Sequence, residues 1–255
     1  MKSGFTFKGA IYGILMLCGV WEILALIINQ PILPSPVQVM KVFIDSLFGP
    51  LGLHLLASSA RVVVAILAAL VSAVPIGLGL GQLPNLNRVF SPLIAIFYPI
   101  PKIVFLPVIY LMIGVTDLSK VFLIALIIFF QIVVVVRDEA ANLHPELILS
   151  VRSLGAGRLA LFRYVYLPAS LPAVLTALRI SVGTAIAVLF ITEQSLTTWG
   201  LGYYIVVETY QVLRYEEMYA GIVAMSLLGL GLYFIIHALE LRVRRHLDQG
   251  VDEGT

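Results

Sequence analysis

The chain has 255 residues, 60% of them hydrophobic and only 12% charged, with a mean hydropathy of +1.04. Those values exclude an ordinary soluble domain and describe a chain made to sit in a lipid bilayer. The formal net charge of +2 decides little, because in such a protein the placement of the charges matters more than their sum.

Lys2 and Lys8 precede an apolar run from Ile11 to Ile28. The run has about the length a span needs. No small-x-small cleavage site follows it before Asn29, so it reads as a first transmembrane helix rather than a secretory leader. Its one cysteine, Cys18, is the only one in the chain. That excludes an intrachain disulfide framework and leaves a small hydrophobe packed in an apolar run. Pro31 to Pro36 predicts a stiff turn. Val37 to Phe48, with Val39, Val42, Phe43 and Leu47 apolar and Lys41 and Asp45 polar, predicts a short amphipathic helix lying on the membrane surface. A second span runs from Leu53 to Leu80, with small residues such as Ala65, Ala69 and Ala73 that permit close helix approach. Glu22 and Arg61 lie at similar depths in these two spans; both are expected to face protein, with each other as candidate partners.

The third span, Phe90 to Ile113, carries Pro92, Pro99, Pro101 and Pro107. Each internal proline frees a carbonyl that lipid cannot satisfy, so this segment should face protein or a wet path. Lys102 in its middle points the same way, although a lysine snorkelling to an interface is an equally good reading of that residue. Ser119 to Val136 is a fourth span, interrupted only by Gln131. Ala169 to Ile191 is a fifth, bearing Arg179 and ending at Thr192, Glu193 and Gln194. Ser195 to Arg214 reads as a loop rich in interfacial aromatics (Trp199, Tyr203, Tyr204, Tyr210). Met218 to Leu239 is the sixth, with Gly221, Gly229 and Gly231 inviting close packing, and residues 241–255 form a polar, frayed tail. Tyr98, Lys102, Thr192 and Glu193 are the candidate wall residues of a translocation path. The reading is an all-α integral membrane protein of six transmembrane helices, a single permease-like domain over the whole chain.

Between the fourth and fifth spans lies the longest segment that is neither a span nor a short connector, residues 137–168. Leu143, Leu147, Val151 and Leu154 recur at helical spacing, while Glu146, Ser150, Arg152 and Ser153 point elsewhere. Gly155 breaks that helix and Gly157 adds a second joint. A second amphipathic piece comes next, with Leu159, Phe162 and Val165 apolar and Arg158 and Arg163 polar, before Pro168 opens the next helix. Six spans put both termini and this hairpin on one side. Ten Lys/Arg fall there (Lys2, Lys8, Arg88, Arg137, Arg152, Arg158, Arg163, Arg242, Arg244, Arg245) against three opposite (Lys41, Lys120, Arg214). That side is expected to be cytoplasmic.

The hairpin resembles the cytoplasmic loop of the membrane subunits of bacterial ABC importers, which carries Glu-Ala-Ala, three residues, Gly, nine residues and Ile-x-Leu-Pro. Gly155, Val165, Leu167 and Pro168 fall on that spacing. The acidic start falls instead on Leu149, Ser150 and Val151, and the literal Glu-Ala-Ala at Glu139–Ala141 comes ten residues too early. Further phrases are similar to nitrate/sulfonate/taurine-type permeases: LPSP at Leu33–Pro36, YPIPK at Tyr98–Lys102, SLGAG around Gly155, LPASLP at Leu167–Pro172, Glu193, and GLGYYI at Gly200–Ile205. The resemblance implies a type I importer permease of the bacterial inner membrane. It also implies a second copy of the chain, two ATPase subunits that bind ATP and Mg, and an extracytoplasmic substrate-binding protein. The hairpin residues Leu147, Val151, Leu154, Gly155, Ala156 and Arg158 then become the ATPase-coupling surface.

The chain's own chemistry agrees. There is no phosphate-binding Gly-x-x-x-x-Gly-Lys-Ser/Thr loop. The four histidines His54, His144, His237 and His246 lack metal-ligand spacing. No cluster of acids, bases or nucleophiles suggests catalysis, and nothing suggests a nucleic-acid partner. Two other classes stay open at this stage. An ion-gradient-driven secondary transporter would need more spans or a visible inverted repeat, and a membrane assembly protein would lack an associated ATPase.

Overall fold

The computed structural model describes residues 7–194 and 196–252; the Leu147 side chain and Ser195 lie outside the described residues. Within that range every regular element is helical. The chain forms two compact units, one from the N-terminal segment up to Ala57 together with Glu193–Ser226, the other from Ser58–Thr192 together with the segment from Leu227 onward.

In the first unit, α1 (Phe7–Ile28) leads through the Pro-rich turn to α2 (Pro36–Leu47), whose start the sequence dictates. The Ser35 hydroxyl accepts from the Gln38 N–H at 3.3 Å, and the Gln38 carboxamide accepts from the Ser35 N–H at 2.9 Å. This reciprocal capping satisfies two N–H groups that a helix start otherwise leaves bare. The Trp21 indole of α1 donates to the Pro34 carbonyl at 3.0 Å and holds the turn against the helix. Half of the predicted 195–214 loop is helical: α10 (Leu201–Tyr203) runs straight into a π-helical segment, Tyr204–Tyr210.

Four helical stretches are long and apolar enough to cross a bilayer. They are α3 (Pro50–Gln82), α6 (Asp117–Ala141), the continuous Arg158–Glu193 stretch and α11 (Tyr215–Asp252). Tyr12–Ile28 of α1 is a shorter apolar helix of the same kind. The expected third span is not one helix. α4 (Pro84–Phe97) and the segment formed by a tight turn, Lys102–Phe105, with α5 (Leu106–Ile113) meet at a bend of 83°. The sixth span also departs from expectation, since α11 continues through Arg242, Arg244 and Arg245 to Asp252 instead of fraying.

The core of the second unit lies between α3, α6 and α9 (Leu167–Glu193), where Val62, Ala69, Ile124, Ile128, Ile132 and Leu189 are buried. Towards the end of α3 two glycines, expected from the sequence to loosen the helix, instead set its spacing. A Cβ on Gly77 would come within 2.8 Å of the Val136 Cβ, and one on Gly81 within 2.5 Å of the Arg137 carbonyl oxygen. α3 and α6 therefore touch backbone to backbone. Among the sixth-span glycines, Gly221 and Gly229 sit against Ile205 and Ile186 respectively, but a Cβ on Gly231 would meet nothing within 4 Å.

The candidate functional site: a broken span, a hairpin and buried charges

The break in the third span is built around Lys102. Pro99 and Pro101 stop α4 and leave its last carbonyls without helical partners. The Lys102 side chain, only 8% exposed, turns back and donates to the carbonyls of Phe97 at 2.8 Å, Tyr98 at 3.2 Å and Ile100 at 3.3 Å. The three N–H donors of an ammonium match these three acceptors. It sits at the carbonyl end of α4, where a cation is favoured by the helix dipole, and its nitrogen lies 4.5 Å from the centroid of the Phe130 ring. Beside it is a cavity of about 360 Å³ lined by Tyr98, Pro99, Pro101, Lys102, Phe130, Gln131 and Thr184, among others. Tyr98 and Lys102 thus meet at one site. Thr192 is not among the lining residues; it is buried, its hydroxyl donates to Leu189 O at 2.9 Å, and its carbonyl accepts from the Tyr110 hydroxyl at 2.9 Å.

Glu193, also fully buried, belongs to the first unit, where its carboxylate accepts from the Gly202 N–H at 3.0 Å. Close to that contact His54 holds the same segment. Its Nδ1 accepts from the Gly200 N–H at 3.0 Å and its Nε2 lies 3.2 Å from Glu208. An Nδ1 that accepts has no proton of its own, so the ring proton is on Nε2, facing the carboxylate.

Two charge clusters complete the second unit. Arg61 pairs with Asp117 at 2.7 Å, and Lys120 lies 3.5 Å from the same carboxylate. Arg61 does face protein, with Asp117 as one partner, and Glu22 lines a cavity of the first unit with Asn29, Gln38 and Glu217. At the other cluster Glu240 accepts from Thr176 at 2.8 Å and from Arg244 at 3.0 Å. Arg179 Nε is 3.0 Å from Glu240 Oε2 but misaligned for a hydrogen bond, so that contact is an ion pair only.

The hairpin consists of α7 (Pro145–Ser153), the Gly155 joint, and α8 (Arg158–Leu161), which passes through a π-helical turn, Phe162–Tyr166, into α9. Gly155 has φ +83° and its N–H bonds the Arg152 carbonyl at 2.9 Å, the left-handed helix stop its sequence position predicts. Leu161 and Val165 are buried and anchor the hairpin. Leu154 (86% exposed), Leu159 (79%), Tyr164 (69%) and Leu149 (62%) stand in the open. Val151 and Ala156 are half-buried and Arg158 is exposed.

Residues 62–245 match the family described as binding-protein-dependent transport system inner membrane component. The chain belongs to this family. It is the membrane permease subunit of an ABC importer, a result that sets aside the secondary-transporter and assembly-protein readings. It is 30% identical over 231 residues to the taurine transport system permease protein TauC of Escherichia coli, covering 88% of this chain and 83% of that one. It is also 30% identical to the formylaminopyrimidine transport permease protein ThiX of Halalkalibacterium halodurans, covering 89% and 90%. Among solved structures, the inward-facing MetNI methionine ABC transporter superposes with a TM-score of 0.64 at 21% identity, over 76% of this chain and 96% of that one. At that identity the likeness speaks for the fold. Two polar groups of the permease's cavity escaped the sequence reading as site residues. Gln131 was visible only as an interruption of an apolar run, and Thr184 has no signal of its own among the small residues of α9.

Proposed function

We propose that this permease works as a pair of identical subunits coupled to two ATPase subunits, and that it receives a small solute from an extracytoplasmic binding protein. ATP hydrolysis lies in the partner subunits, and closure of those subunits draws the hairpins together and biases the helices towards the outward-open state. The distribution of Lys and Arg, ten on the hairpin side and three opposite, supports cytoplasmic termini and a cytoplasmic hairpin. Cargo passes the break of the third span, with Tyr98 and Lys102 at its wall. Thr192 and Glu193 brace neighbouring segments of the path.

The observation that carries this reading is the hairpin surface. Leu149, Leu154, Leu159 and Tyr164 are exposed on a segment held in place from below by Leu161 and Val165. Burying a large apolar side chain in a partner's groove gains about 1.5–3 kcal/mol, so a partner is worth several such increments to this surface. The contact is apolar and only weakly salt-dependent, because Leu149 stands where related loops carry a carboxylate.

Gly155→Trp and Leu154→Asp test it. The first forces a bulky residue into a left-handed conformation, at about 1–2 kcal/mol of backbone strain, and projects it into the open space above Gly155. The second puts a charge where an apolar contact is required. Both variants are expected to insert normally and to lose ATPase co-purification. Retained assembly with parental transport would remove the hairpin as the coupling element.

A further inference from the structure

We propose that the cavity between the end of α11 and the start of α9 binds one anionic phospholipid, with Arg242 and His246 on its head group and Leu171 and Val243 on the first carbons of an acyl chain. Its residues belong neither to the cavity at the broken third span nor to the exposed face of the hairpin. The inference needs only that the chain spans a bilayer.

The cavity, about 450 Å³ in volume, is lined by Pro168 and Leu171 of α9 and by Arg242, Val243 and His246 of α11. Both helical segments belong to the second unit, and Glu240, with Thr176, Arg179 and Arg244, ties them together a few residues away along each. On both helices this is where an apolar span gives way to charge. α9 leaves the arginine-bearing hairpin and turns apolar, while the apolar stretch of α11 ends in Glu240, Arg242, Arg244 and Arg245. Ends of that kind sit at the level of the lipid head groups.

Arg244 is taken up by Glu240 inside the protein. Arg242, two residues earlier, is exposed and makes no ion pair or hydrogen bond among the described residues. No carboxylate lines the cavity. A guanidinium left over at its edge can grip a phosphodiester through two parallel N–H bonds, and His246 offers an N–H in either protonation state. The floor is of another kind: Pro168, Leu171 and Val243 are half-buried and carry no side-chain donor. That floor decides between a lipid and a free anion. Inorganic phosphate would shed water against hydrocarbon with nothing to replace it, whereas a diacyl lipid brings its own methylenes to the wall, and each one buried there adds to binding. The volume falls in the range of sites that enclose small molecules. Because Pro168 stands where the π-helical turn of the hairpin runs into α9, a bound head group clamps the root of the hairpin to α11.

The test uses the full-length chain in neutral detergent, titrated with dioleoyl phosphatidylglycerol and, separately, with dioleoyl phosphatidylcholine, bound lipid being counted by native mass spectrometry. The anionic lipid is expected to occupy one tight site that the zwitterionic lipid does not. Arg242→Gln should weaken that site about fivefold, the value of one basic residue at an anionic surface, and leave phosphatidylcholine binding as it was. Arg245→Gln removes the same charge from an exposed side chain that does not line the cavity, and should leave the site unchanged. Both substitutions are at exposed positions, where the cost to folding is small. Equal affinity for the two lipids, or equal loss in the two variants, would reveal diffuse surface charge in place of a site. Displacement of the lipid by millimolar inorganic phosphate would make it a free-anion site. Either result overturns the proposal, as does expulsion of the lipid when ATPase subunits are added, which would assign the cavity to that partner. ATPase subunits that fail to bind at all refute the importer assembly alone, since the lipid selectivity is read on the chain by itself.

Discussion

His54 is the residue whose replacement tests most directly how the segment Gly200–Tyr210 is held. It is 2% exposed, accepts from Gly200 N–H through Nδ1 and faces Glu208 through Nε2. Its ring lies 5.1 Å from Trp199 and 5.4 Å from Tyr204, centroid to centroid. His54→Ala strands the Gly200 N–H, at about 1–3 kcal/mol, and leaves an imidazole-sized void that adds roughly 1–2 kcal/mol. Together these approach 3–4 kcal/mol, a large part of a domain's stability. His54→Asn places Oδ1 near the position of Nδ1 and keeps the Gly200 bond, so it is expected to cost only about 1 kcal/mol, most of it lost packing. The assay is denaturant unfolding in detergent, read by Trp199 fluorescence in a Trp21→Phe background, since these are the two tryptophans of the chain. The alanine variant should shift the Trp199 spectrum and unfold first, and asparagine should restore most of both. Equal stability of the two variants with an unchanged Trp199 spectrum would show that the Gly200 hydrogen bond does not hold the segment.

Two neighbouring glycines of α3 should respond in opposite ways. Gly81→Val puts atoms within 2.5 Å of the α6 backbone and is expected to destabilise by about 1–3 kcal/mol, whereas Gly79→Ala meets nothing within 4 Å and should stabilise by up to about 1 kcal/mol through helix propensity; thermal unfolding of the two side by side checks this. Tyr204 supplies a prediction in alkali. Burial, reinforced by the nearby Glu217 carboxylate, pushes its phenol up from 10.0 to about 12. Between those values the unfolded chain has released the proton and the folded chain has not. Stability from this group is therefore complete below pH 10 and falls as pH rises towards 12. Unfolding midpoints measured across that window should decline less steeply in Tyr204→Phe than in the parent.

Local chemistry was legible in the sequence, and long-range pairing was not. Ser35, Pro36 and Gln38 announce the start of α2, and Gly155 announces the hairpin stop, because each acts on backbone groups within a few residues. The prolines of the third span announce a break, but its place depends on Lys102 folding back onto carbonyls two to five residues earlier. One partner of Arg61, Asp117, lies 56 residues away, and depth in the bilayer carries no information about which helix supplies it. The hairpin shows a different limit. Helical spacing grouped Leu159, Phe162 and Val165 on one face, but the π-helical turn at Phe162–Tyr166 shifts the helical phase within that piece. Leu159 ends in the open, and Leu161, outside the predicted face, becomes an anchor.

The polar tail illustrates why composition misjudged the end of α11. Arg242, Arg244 and Arg245 look like a solvated terminus, yet Arg244 reaches back one turn to Glu240, which also engages Thr176 and Arg179 of α9. A carboxylate buried to 4% exposure is tolerable only with such partners, so the helix must persist past Glu240 far enough to bring Arg244 within reach. The same logic applies at Lys102 and Arg61. Each buried charge is tied to groups whose loss would leave it uncompensated, at a cost of several kcal/mol, and a side chain so bound cannot also follow a passing solute. The neutral polar side chains carry no such penalty. A weak contact such as that between Gln131 and Thr184, 3.5 Å apart, can be exchanged for another partner at little cost.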